Sequence, residues 1–409
     1  MTTPATRRTL IALNLVNGAG DGLLVPTLVL FFVGKVGLSS GSVALGLSLA
    51  GVAAALLLTP LARFAERIGL KKAMAMGYLV QAVSVGAFVL VTNWWTFWLF
   101  LAVSSSAAAA TIPVRQALIS VYAGAEERIR VSAMNRAAFN ASFAIGAVLA
   151  GLVVTIGTDF AYRLLILGDA LSFLMAAGVT MALPAVALRP SVSRIRWRIL
   201  TEDRSLTYVA GLIGVLFLYG DVIAVGLPLL AVGAGALPRW VIPASFLLNT
   251  AMTVALQVRL SKGADDVRSA SRIGARAGCL FLLGSALVGV AVWGSSWPVL
   301  LVVFVGVVVL TFGELWASTA TWSLSYGLSA TGRADQIGLF SLGGILMRTV
   351  APSLVAASVL NLGYFGWVLL GLVMGLAGLL LIPASRAAEE RTRRYAPSSG
   401  TPSVGMTDD

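Results

Sequence analysis

Three carboxylates interrupt otherwise apolar stretches of this sequence: Asp21 in Gly18-Ala19-Gly20-Asp21-Gly22, Asp221 in Tyr219-Gly220-Asp221-Val222, and Glu314 in Phe312-Gly313-Glu314-Leu315. An ionised Asp at the centre of a bilayer costs about 2.5–3.5 kcal/mol even on permissive scales, so an acid in such a stretch calls for a role. Loss of water favours the protonated form of a carboxyl group, which lets it load a proton from one side and release it to the other. The chain contains no His, so proton handling of this kind falls to acids. The competing reading is a helix–helix hydrogen bond or ion pair. Asp169 is read in that second way, as a packing partner of Arg136. Arg348 is a candidate counter-ion for the three acids.

The spacing of polar residues says which faces could line a cavity. Asn14, Asn17 and Asp21 follow one another at three and four residues, a single helical face. Glu314, Ser318, Thr321 and Ser325 do the same over three turns, with Trp316 and Trp322 close by. Ser104, Thr111 and Arg115 recur at spacings of seven and four. Arg115 either faces that cavity or carries its charge to the membrane surface on a long stem. Tyr219, Trp316 and Trp322 offer adaptable apolar contact to a solute, or pack between helices.

Composition dictates what holds these residues. A chain of 409 residues that is 58% hydrophobic and 11% charged, with a mean hydropathy of +0.92, has more apolar surface than one soluble core can hide. Stretches long enough to cross about 30 Å of hydrocarbon fall at roughly 9–34, 41–62, 73–92, 96–122, 131–156, 161–183, 206–233, 240–260, 277–293, 297–327, 337–360 and 362–384. They must be helices, because backbone groups in lipid have to bond within their own segment. The expected fold is an all-α integral membrane protein of twelve transmembrane helices in two pseudo-symmetric six-helix bundles. The first bundle covers 1–184, a basic linker 185–204, the second bundle 205–385 and a disordered tail 386–409.

The net charge of +12 does not point to nucleic acid, because the 29 Lys and Arg fall between apolar runs. Lys35, Arg163 and Arg239 fall at one set of ends, and Arg115, Arg136 and Arg348 fall within spans; the remaining 23 occupy the N-terminus, the even-numbered loops and the tail. Positive charge stays on the cytoplasmic side, so both termini are expected there and the protein in the plasma (inner) membrane. Trp94, Trp95, Trp98, Trp240, Trp293 and Trp297 cluster at the opposite ends, where indoles favour the headgroup level. The first span is too long for a signal-peptide core and is expected to be retained. The linker, with Ile195, Trp197 and Leu200 among its arginines, either lies on the anionic inner leaflet or is a solvated charge run. The single Cys279 is expected to be a small buried hydrophobe. No Gly-x4-Gly-Lys-Ser/Thr loop occurs, so an ion gradient is the expected energy source; no cofactor and no metal are expected. The lack of His and of any nucleophile-base pair argues against an enzyme.

The halves repeat each other weakly. Gly20-Asp21 recurs as Gly220-Asp221, and at the same offset of 200 residues Val25 meets Val225 and Leu30 meets Leu230. The second loop reads Ala62-Arg63-Phe64-Ala65-Glu66-Arg67-Ile68-Gly69-Leu70-Lys71-Lys72. It resembles the loop signature of the major facilitator superfamily, in particular of its drug:proton antiporters, with Ala62, Glu66 and Leu70 departing from the commoner residues. Gly146-Ala147-Val148-Leu149-Ala150-Gly151 resembles a degraded form of the antiporters' fifth-span pattern. Pro113-Val114-Arg115-Gln116-Ala117 with Asn135, Arg136 and Asn140 is similar to bacterial efflux members. Gly69 is suited to a tight turn, and Glu66, Arg67 and Lys71 to a conformational latch across the domain interface.

The resemblance implies that spans one, four, seven and ten surround a central path. It implies a monomeric, proton-coupled exporter of a small amphipathic drug or natural product, working by alternating access. The alternatives are an uptake symporter for a small metabolite and a membrane receptor or scaffold that does not transport.

Overall fold

The computed structural model describes residues 4–184, 203–233, 237–260, 266–328 and 334–395. Among these residues the regular structure is helical. In chain order the main segments are α1 (Pro4–Gly34), α2 (Ser40–Ile68), α3 (Leu70–Leu90), α4 (Trp94–Ile119), α5 (Ala137–Ile156), α6 (Asp159–Met181), α7 (Arg204–Val232), α8 (Val241–Leu260), α9 (Val267–Trp293), α10 (Trp297–Gly327), α11 (Ala334–Leu362) and α12 (Tyr364–Tyr395). Ten of them are long and apolar enough to cross a membrane. Among the described residues of α8 and α11 the apolar stretches Val241–Gln257 and Thr349–Leu362 are shorter. The linker positions 185–202 and the tail positions 396–409 lie outside the described residues. The last helix continues to Tyr395, beyond the boundary expected at 385, with Ala388 buried against its neighbours.

The backbone keeps locally helical conformation from Trp94 to Ile156. A straight helix would separate Arg115 from Ser142 by about 40 Å at 1.5 Å per residue. Both side chains nevertheless bond Asn14 of α1, the guanidinium to its side-chain oxygen at 3.3 Å and the Ser142 hydroxyl to its carbonyl at 3.4 Å. The chain therefore doubles back between α4 and α5, and Leu10, Ile119, Val131 and Leu183 cluster at the turn.

Small residues set the packing, as expected where helices cannot gain by hiding apolar surface from lipid. A side chain on Gly146 of α5 would collide with the Ala19 carbonyl and lie 2.9 Å from the Gly22 backbone of α1. The second half repeats this contact between Gly214 of α7 and Gly343 of α11, whose carbonyl oxygen would stand 2.6 Å from a side chain at 214. Gly278 of α9 meets Gly378 of α12 in the same manner, at 3.0 Å.

The ends of α1 and α7 approach at Gly34 and Val232, so both helices begin on the opposite side, called here the near side. Arg391 lies 4.0 Å from Asp203, which brings the end of α12 to the near side as well. The halves meet in the far portions of their helices. The backbone of Ser353 in α11 donates to the Ser48 hydroxyl of α2 at 3.0 Å, and a side chain on Gly51 would lie 2.9 Å from Thr349 Cα. Gly151 and Phe143 of α5 likewise face Pro243 and Phe246 of α8. At the far ends Lys35 pairs with Asp159 at 3.1 Å, and Trp95, Trp240, Trp293 and Trp297 are exposed. Trp94 turns inward and donates to the Ser42 carbonyl at 2.8 Å, and Trp98 is also partly buried.

Candidate functional site

Pro26 has no N–H and ends the first helical stretch of α1 at Leu24. The Thr27 N–H turns to the Leu24 carbonyl, and the Thr27 hydroxyl donates to the Leu23 carbonyl at 2.9 Å in its place. Asp21 sits one turn before this break. In α7 a π-helical turn over Val222–Gly226 begins directly after Asp221. Pro228, which cannot donate, follows it. Both acids therefore stand beside an irregularity in the first helix of their half, the kind of discontinuity that accompanies midplane sites in repeat-built transporters. The repeat of Gly-Asp was visible in the sequence; the π turn carries no composition signal.

Around Asp21 the first half assembles a polar cluster from four helices. Asn17 Nδ2 donates to Asp21 Oδ2 at 3.0 Å. Asn14 donates to the Leu10 carbonyl at 2.8 Å and accepts from Arg115, which joins α1 to α4. The Arg115 guanidinium interacts electrostatically with Asp21 and with Tyr78 of α3. Asp169 of α6 is buried; its carboxylate accepts from the Ser172 hydroxyl at 3.3 Å and faces Asp21. A side chain at Gly20 would strike Asp169 Oδ1 and Ser172 Oγ, which is why a glycine precedes Asp21. Sequence reasoning set Asp169 aside as a partner of Arg136, whose side chain lies outside the described residues. The structure instead brings Asp169 to the Asp21 cluster.

In the second half Glu314 of α10 accepts from Asn249 Nδ2 of α8 at 2.7 Å, and the same amide donates to the Thr311 hydroxyl at 3.1 Å. Asn249 was missed; its signal is an amide in the apolar run of α8. Tyr219 stacks on Phe281, with centroids 5.1 Å apart and planes at 8°. Ser104 and Ser318 are half-buried. Thr111, Thr321 and Ser325 turn their hydroxyls to the carbonyls of Ala107, Ala317 and Trp322 on their own helices, and Thr111 also packs on Gly77 of α3. Trp322 is exposed and stacks on Tyr326. Trp316 lies apart from these groups, in a groove shared with α9 and α12. The side chain of Arg348 lies outside the described residues.

The second loop does turn at Gly69, whose φ of 91° suits glycine. Lys71 donates to the Leu183 carbonyl at the end of α6, within its own half. Glu66 is half-buried and engaged, whereas Arg67 is exposed.

The Asn14–Arg115 bond links α1 to α4 through a charged group, so its loss reaches Asp21. Arg115→Gln removes a hydrogen bond to a charged group, about 1.5–3 kcal/mol, and is expected to slow transport roughly tenfold or more. Initial rates in proteoliposomes check this, with Arg115→Lys expected to retain part of the activity.

A bundle of long apolar helices that holds carboxylate, amide and guanidinium groups at mid-length is that of a multi-pass membrane protein. The chain belongs to the Major Facilitator Superfamily, whose family model matches residues 10–352. Among curated proteins no significant sequence match is found. Three solved structures with similar folds are a POT family transporter in complex with 5-aminolevulinic acid, the peptide transporter POT in complex with alafosfalin, and a mutant of the nucleoside transporter NupG. The first has a TM-score of 0.75 at 13% identity, covering 94% of this chain and 97% of the other. The second has 0.73 at 15%, covering 95% of each. The third has 0.72 at 14%, covering 94% and 99%. Identities this low establish a shared fold and leave the solute open.

Proposed function

We propose that this chain is a proton-coupled secondary transporter of a small organic solute, built of twelve crossings in two six-helix halves with the near side cytoplasmic. The observation that carries the reading is the Asp21 cluster: an acid at mid-length of α1, bonded to Asn17, facing Arg115 and Asp169, and beside a helix break. Ionised Asp21 attracts Arg115 and holds α1 against α4. Protonation removes that attraction, so proton and solute occupancy favour different arrangements of the halves. Asp221 and Glu314, the latter bonded to Asn249, supply the second half's counterpart.

Export of an amphipathic compound is the first reading of direction, supported by the likeness of residues 62–72 to drug:proton antiporters. Uptake by symport is the second, favoured by the nucleoside and peptide transporters among the fold neighbours. Sealed proteoliposomes under an imposed pH gradient distinguish them, with ethidium and tetraphenylphosphonium as amphipathic probes and uridine and a dipeptide as metabolite probes. Antiport drives the probe against the proton flow, and symport drives it along.

Alternating access also requires the far-side contacts to part. In a Cys279→Ser background, Ser48→Cys with Ser353→Cys places two thiols where a hydrogen bond of 3.0 Å now joins α2 to α11. Oxidation is expected to cross-link them and stop transport, with recovery on reduction. Undiminished transport by the cross-linked protein would exclude opening at this contact.

A further inference from the structure

The loop expected between the eighth and ninth spans is in part helix. Asp266 caps α9, its carboxylate accepting from the Ser269 backbone while the Ser269 hydroxyl bonds back to the Asp266 N–H, and hydrogen bonds from Ser269 hold this carboxyl below its ordinary value. The helix therefore starts at Val267, and Arg268, Arg272 and Arg276 lie at intervals of four on one exposed face. Cys279 and Leu283 continue that face and are exposed as well, which corrects the expectation of a buried cysteine. The exposed surface of the adjoining α12 is apolar, including Leu372, Leu376 and Leu379, so this side of the bundle is covered by lipid. Arg276 stands 17 residues before Trp293 at the far end, about 26 Å along the axis, which puts Arg272 and Arg276 at the near-side edge of a hydrocarbon layer about 30 Å thick. Among the described residues neither Arg272 nor Arg276 has a carboxylate or hydrogen-bonding partner. At that level the two guanidinium groups meet lipid headgroups and favour an anionic one.

The same face borders a groove of about 450 Å³ lined by Arg272, Arg276, Leu280, Trp316, Leu379 and Ile382. Two guanidinium groups one turn apart sit at its rim, and its floor is apolar. We propose that this groove is a binding site for an anionic glycerophospholipid, its phosphate held between Arg272 and Arg276 and an acyl chain lying along Leu280, Trp316 and Leu379. Arginine suits the role because its planar fork gives several donors to one phosphate. The first half contains a groove of about 660 Å³ on α3 and α6, the counterparts of α9 and α12, but bounded by α2 where the counterpart of α10 would be α4. At the 200-residue offset Lys72 corresponds to Arg272, but Met76 and Leu79 correspond to Arg276 and Cys279. That groove has one rim cation in place of two, so charge selectivity belongs to the second half. Trp316, away from the acids, finds its place here as part of the acyl-chain floor.

The test uses the full-length protein with dioleoylphosphatidylglycerol and dioleoylphosphatidylcholine, counting lipids retained in native mass spectrometry during stepwise delipidation. Wild type is expected to retain one phosphatidylglycerol in clear preference to phosphatidylcholine. Arg272→Gln with Arg276→Gln is expected to lower that preference about thirtyfold, from roughly 1 kcal/mol per basic residue near an anionic surface. Arg272→Lys with Arg276→Lys keeps part of it. Met76→Arg, at an exposed position, is expected to add a second selectively retained phosphatidylglycerol in the first groove. Equal retention of the two lipids by wild type, an unchanged preference in the double Gln variant, or no added lipid in Met76→Arg would overturn the site.

Discussion

Asp21→Asn is expected to lower proton-gradient-driven solute movement by at least about a hundredfold, the lower end of what a positioned proton-transferring side chain contributes. Asparagine keeps the shape of the group and the bond from Asn17, now at 3.0 Å, but it neither carries a proton nor attracts Arg115 as an anion. Solute exchange at equal pH on both sides is expected to persist, because the path and the moving halves are intact. That split separates a coupling defect from misfolding: loss of both activities with loss of monodispersity is structural damage, whereas loss of the driven component alone is the predicted signature. Asp169→Asn tests the neighbouring carboxylate, with a smaller change in the pH at which driven transport is half-maximal. Unchanged driven rates in Asp21→Asn would remove Asp21 from the proton path.

The second large effect is on folding. Gly146→Leu inserts four carbons where a single added carbon already meets the Ala19 carbonyl and comes within 2.9 Å of the Gly22 backbone. The obstacle is backbone on a kinked helix, with no flexible side chain to move aside, so α1 and α5 have to separate. Overpacking a tight contact typically costs about 1–3 kcal/mol and more where backbone must shift. The expected result is little monodisperse protein and a thermal midpoint in detergent well below that of wild type, with Gly146→Ala intermediate. The Asp21 cluster lies on the same helix, so Gly146→Ala is also expected to slow transport. A Leu variant as stable as wild type would contradict the α1–α5 packing described here.

Long apolar runs, basic loops and far-side tryptophans were enough to place nearly every helix, because lipid leaves the backbone few options. The boundaries that slipped have local causes. The Asp266–Ser269 capping box extends α9 back over three arginines that charge alone assigns to a loop. Locally helical backbone continues between α4 and α5 although the chain reverses. The polar face of Asn14, Asn17 and Asp21 was legible because helical periodicity puts three such residues together on one helix. Its partners on other helices were not: Asp169 and Tyr78 arrive from α6 and α3, and Asn249 reaches Glu314 across a helix pair. Cys279 was misjudged because an apolar neighbourhood in sequence does not distinguish the protein interior from lipid. Side-chain hydroxyls of Thr111, Thr321 and Ser325 on α4 and α10 donate to carbonyls of their own helices, a bond that residue spacing does not reveal.

The most direct measurement follows proton movement itself. Protein is sealed into liposomes holding a pH-sensitive dye, and each probe solute is added with no initial gradient. The account predicts that a transported solute changes the lumenal pH as it crosses, that a protonophore abolishes the change, and that Asp21→Asn with Asp221→Asn moves solute without moving protons. Solute flux in the wild type with the internal pH unaltered would contradict proton coupling.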